Sequence, residues 1–138
     1  MSQMHPVRPS VRSTMTFLSG LVLATGFHLA YCSMVPIIGF WGAFSLNTVM
    51  HLLLPGLFAP AMVSAWLLVA EKPTFKAAVV VALSAGLVHA LALAAWVSTW
   101  NDPIAQTYSI AFYPQVLTGV LIALVSYRFS ERFAKRHP

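Results

Sequence analysis

Residues 13–70 contain no Asp, Glu, Lys or Arg, and neither do residues 77–101 or 103–127. A helix needs about 20 predominantly apolar residues to cross the hydrocarbon core of a bilayer. The first window therefore holds two crossings with a turn between them, and each of the others holds one. This pattern predicts an all-α integral membrane protein with four transmembrane helices in an up-down bundle. The expected spans cover roughly residues 14–34, 47–70, 75–100 and 107–129, all within one transmembrane domain over residues 14–130. Residues 1–13, which include Pro6 and Pro9, and residues 131–138 read as cytoplasmic tails.

Within the spans, small residues fall at regular intervals. In span one Gly20, Ala24, His28 and Cys32 recur every four residues, and in span three Ala78, Ala82, Gly86, Ala90 and Ala94 do the same. Small side chains at this spacing let a neighbouring helix approach closely, so Gly20, Ala24, Ala78, Ala82, Gly86, Ala90 and Ala94 are the expected packing positions. His28 shares the first of these faces and should point at protein. His89 sits about 60° around the helix from Gly86, on the flank of the second.

Between spans one and two, Pro36, Gly39 and Gly42 interrupt any helix, while Phe40, Trp41 and Phe44 have the character of an interfacial belt. Asn47 is the expected N-cap of span two, and Pro55 and Pro60 inside that span should kink it. Asn101-Asp102-Pro103 marks a turn before span four. Phe58-Ala59-Pro60-Ala61-Met62-Val63-Ser64-Ala65 also resembles Phe112-Tyr113-Pro114-Gln115-Val116-Leu117-Thr118-Gly119, which is consistent with a parallel duplication of a two-helix hairpin.

Composition agrees with the pattern, since 59% of residues are hydrophobic and 8% charged. The formal charge of +5 is not spread as a nucleic-acid-binding stripe. Arg8 and Arg12 precede span one, Lys72 and Lys76 follow span two, and Arg128, Arg132, Lys135 and Arg136 follow span four. By the positive-inside rule both termini and the bend Glu71–Lys76 lie in the cytoplasm, in a membrane of bacterial inner-membrane type. The first apolar run is too long for a signal-peptide core and reads as a retained span. Cys32 is the only cysteine, so no internal disulfide or CxxC pair exists.

The candidate chemistry is a set of imidazoles. His28 and His89 each lie roughly 20 Å along their helices from the cytoplasmic side, and His51 enters from the outside, which places all three in the outer half of the membrane. Imidazoles meeting across helices could ligate haem iron or, with Cys32 or a methionine, copper. A single interhelical hydrogen bond would satisfy each of them equally well. A cavity lined by Asn47, His51, His89 and Trp96 is a third arrangement. No span contains the Asp or Glu that proton-coupled carriers use, and no GxSxG or phosphate loop is present.

The leading expectation is a small polytopic inner-membrane protein without its own catalysis. It would act as a subunit or self-associating scaffold, with lipid, other membrane polypeptides or itself as partners and no nucleic acid. One alternative is a haem- or metal-binding electron-transfer protein using His28, His51 and His89. The other is a small-molecule carrier or binding protein.

Overall fold

The computed structural model describes residues 8–36 and 38–136, and no strand occurs among them. Four helical stretches are long and apolar enough to cross a membrane: Pro9–Met34, Leu46–Val69, Phe75–Val97 and Pro103–Arg136.

Helix α1, Pro9–Met34, starts five residues before the expected span. Pro9 is the reason, because its fixed φ suits the first helical position and its missing N–H is not needed there. The rest of the tail expected at the N-terminus, residues 1–7, lies outside the described residues. Pro36 ends the helix by driving Val35 into an extended conformation (φ −95°, ψ 108°). The chain then reverses at Gly39, whose φ of 66° suits a residue without a Cβ. A single turn, α2 (Gly39–Gly42), carries Phe40 and Trp41, whose rings cluster with exposed Phe44.

The second span starts at Leu46 with Ser45, not Asn47, as its cap: the Ser45 hydroxyl accepts from the Thr48 amide at 3.3 Å. It consists of α3 (Leu46–Thr48), a π turn (Val49–Leu53) and α4 (Leu54–Val69). The π turn has a local cause. Pro55 brings no N–H to the carbonyl of His51, and its ring would collide with that carbonyl in a regular helix, so the preceding turn widens.

Helix α5, Phe75–Val97, is capped by the Thr74 hydroxyl. The fourth stretch opens with α6 (Pro103–Tyr108), where Asp102 Oδ1 accepts from the Ile104 and Ala105 amides. It continues through a 3₁₀ turn (Ser109–Phe112) into α7 (Tyr113–Arg136). Residues 131–136, expected as a tail, extend this helix. Glu131 pairs with Arg128 at 3.0 Å and Lys135 at 3.4 Å, at the spacings that support an exposed helical end.

Helices α4 and α7 pack against each other, and each also packs against α1 and α5, which lie on opposite sides of that pair. Close approach is achieved by glycine. A Cβ on Gly119 would lie 2.8 Å from the Pro55 carbonyl oxygen and 3.0 Å from that of Gly56. The Gly56 carbonyl is the one whose helical partner Pro60 removes. On the α1 side a Cβ on Gly20 would meet the Pro60 ring at 2.7 Å.

Ala59, Val63 and Leu67 of α4 join Ala78, Ala82 and Ala85 of α5 and Val120, Ala123 and Tyr127 of α7 in the main apolar core. Burial along the expected packing row on α5 changes with position. Ala78, Ala82 and Gly86 are buried, but Ala90 is half-buried and Ala94 exposed. A four-residue step advances about 400°, so the row drifts about 40° per step and has rotated by about 160° at Ala94, where Leu93 and Val97 replace it.

Candidate functional site

The structure brings two of the three imidazoles together and puts the third elsewhere. His28 is 3% exposed, and its Nε2–H donates to the Ala43 carbonyl at 2.9 Å. A carbonyl can only accept, so the proton is on Nε2 and Nδ1 is left facing the Cys32 thiol at 3.8 Å. This bond pins the segment between α1 and the second span to α1. The Thr48 hydroxyl, which donates to the Gly42 carbonyl, ties the same segment to the second span.

His51 and His89 line a groove of about 430 Å³ between the second span and α5, with Met50, Pro55, Leu93 and Trp96 among its other walls. His51 lies in the π turn, and its Nδ1–H donates to the Asn47 carbonyl at 2.8 Å. In the neutral imidazole Nε2 is then an acceptor, and no described residue partners it. The imidazole stacks on Trp96, centroid to centroid 5.1 Å at 19°, and Phe112 packs against it at 5.4 Å. His89 packs at 5.1 Å against Phe58 and has no hydrogen-bond partner among the described residues.

His89 and Trp96 are seven residues apart on one helix, so the two imidazoles occupy tiers about 10 Å apart along the groove. Among the described residues no three His, Cys, Asp or Glu side chains gather as a metal-holding group. Asn47, expected as a wall, is exposed and is not among the residues that line the groove; its carbonyl holds His51.

Sequence reasoning missed Phe58 and Phe112 as the imidazoles' ring partners. A usable signal for the π turn was the proline four residues after His51, since a proline displaces the carbonyl four positions before it.

A second set of polar groups lies between α1, α4 and α7. The Ser13 hydroxyl donates to the Ser64 carbonyl at 2.7 Å, and the Ser64 hydroxyl returns to the Ser13 carbonyl at 2.8 Å. Thr16 Oγ1 meets Ser130 Oγ at 2.9 Å. Arg12 stands 5.4 Å over the Tyr127 ring, with its Nε and Nη2 buried and unpartnered, as are Tyr127 OH, Ser126 Oγ and Gln115 Nε2. Among the described histidines, those of the groove are the two with a ring nitrogen that meets no partner.

Compared with protein-family models, with curated proteins and with solved structures, the chain matches none.

Proposed function

We infer that the protein is an inner-membrane four-helix up-down bundle with cytoplasmic termini, and that it binds a small lipophilic molecule in the groove of His51, His89 and Trp96 without chemistry of its own. One observation carries this reading: two imidazoles with unpartnered ring nitrogens in a groove whose other walls are apolar and aromatic. At membrane depth, lipid tails offer an imidazole no partner, and an unmet polar group there is costly. The groove volume lies within the range of small-molecule sites, about 300–1,000 Å³.

The tautomer narrows the ligand class. His51 presents an acceptor, so the ligand needs a hydroxyl or N–H donor, and Trp96 favours a flat ring. A phenol or hydroquinone carrying an apolar tail fits both. The basic residues at 8, 12, 72, 76 and 128–136 support the orientation, which puts the groove in the outer half of the bilayer.

The test is titration of the detergent-purified protein with a long-chain alkylphenol and with the matching alkylbenzene, followed by tryptophan fluorescence and thermal unfolding. The phenol should quench and stabilise more than the benzene, and His51→Leu with His89→Leu should abolish the difference. Equal responses to the two compounds, or an unchanged response in the double variant, would overturn the reading.

A second reading, a subunit or self-associating scaffold, is favoured by the outer side of α1. A Cβ on Gly26 would meet nothing within 4 Å, and exposed Ala30 follows one turn later, so a second helix could approach there. Light scattering in two detergents that returns a strict monomer, with no co-purifying polypeptide, argues against it.

A further inference from the structure

A second groove, of about 360 Å³, lies at the other end of α5 from the histidines, between the first turn of α5 and the last turns of α7. Its walls are Phe75, Leu124, Val125, Arg128, Phe129 and Arg132. Val125 and Phe129 are more than half exposed, so the apolar part opens outward to where lipid chains would run. At its mouth stand two guanidinium groups in different states. Arg128 is fixed, lying 3.6 Å over the Phe75 ring and bonded to Glu131. Arg132, one turn further along α7, is exposed and has no ion-pair partner among the described residues.

The same mouth receives the N-terminus of α5. Thr74 caps the Ala77 amide, but the amides of Phe75 and Lys76 have no intrahelical carbonyl to bond, and Lys76 adds a further cation to that turn. Two carboxylates are nearby in sequence. Glu131 is already shared between Arg128 and Lys135, and Glu71 lies on the bend before α5. The local balance is therefore positive, at the level where an apolar wall gives way to charge.

We propose that this groove holds one anionic phospholipid. An acyl chain would lie against Leu124, Val125 and Phe129, and the phosphate would sit between Arg132 and the first amides of α5. Charge complementarity singles out this occupant: a zwitterionic lipid places its own cation against the arginines, and a transmembrane peptide brings no phosphate for them. General attraction of a basic helix end to an anionic surface depends on how many charges there are, whereas this site depends on which residue carries them.

Native mass spectrometry of the detergent-solubilised full chain separates the two. Titration with phosphatidylglycerol should fill one saturable site ahead of any other, and phosphatidylcholine with the same chains should not. Arg132→Leu should weaken that site about tenfold, as loss of a charge-assisted bond does. Arg136→Leu, with the same change in net charge, should alter it less than about twofold, as expected for an exposed charge. Circular dichroism checks that both variants are folded. Equal losses in the two variants, or phosphatidylcholine binding as well as phosphatidylglycerol, would overturn the proposal.

Discussion

Replacing Gly119 by alanine tests the packing directly, because the groups its methyl would strike are backbone and cannot swing aside. The new Cβ would stand 2.8 Å from the Pro55 oxygen, where ordinary contact begins at 3.4 Å, with the Gly56 oxygen and Cα at 3.0 and 3.1 Å behind it. Relief requires α4 and α7 to part by about 0.6 Å, and a gap of that size forfeits roughly a quarter to a half of each dispersion contact along the seam. Overpacking of this kind costs about 1–3 kcal/mol, and the upper half of that range is expected because α4 and α7 form the central pair.

Gly26→Ala is the matched control for packing within one chain. Nothing lies within 4 Å of its new methyl, and alanine's better helix propensity contributes up to about 1 kcal/mol in the opposite direction. Gly86→Ala should fall between them, since the atom it meets is a Val120 methyl that can move. Reversible unfolding in mixed micelles, followed by circular dichroism, ranks the three. If Gly119→Ala proves as stable as Gly26→Ala, the backbone-to-backbone seam is not what holds the molecule together.

Two further substitutions separate structure from binding. Pro55→Ala restores an N–H for the His51 carbonyl and lets the π turn relax to a regular helix; this should rotate His51 away from Trp96 and weaken the alkylphenol response, with stability unchanged or higher by differential scanning fluorimetry. His28→Leu leaves the buried Ala43 carbonyl without its donor, at a cost of about 1–3 kcal/mol, and should speed hydrogen exchange across residues 39–45 while leaving the alkylphenol response intact.

The four stretches were legible because charge is so costly in hydrocarbon that its absence marks them, and only their ends shifted. Pro9 and Glu131 account for the shifts at the first and the last. The interior position of His28 followed from its four-residue row, but its partner did not, because Ala43 reaches it only after the chain reverses at Gly39. The alanine row on α5 was read as straight, although a four-residue period must wind around a helix of 3.6.

Gly119 appeared only as the end of a repeated segment, and its consequence depends on Pro55 and Gly56 across the seam. The two copies of that segment differ in setting. Pro60 is inside α4 and Pro114 opens α7, while Ser64 bonds to α1 and Thr118 back to its own helix.

The central pair α4 and α7 are also far apart in translation order. As the chain leaves the ribosome, α4 enters the bilayer with its Gly56 carbonyl freed by Pro60, and the glycine that covers it comes sixty-odd residues later. Until then the face of α4 that Gly119 packs against has no helix on it. A nascent chain arrested before Tyr113 would therefore lack the helix against which α1, α4 and α5 all pack.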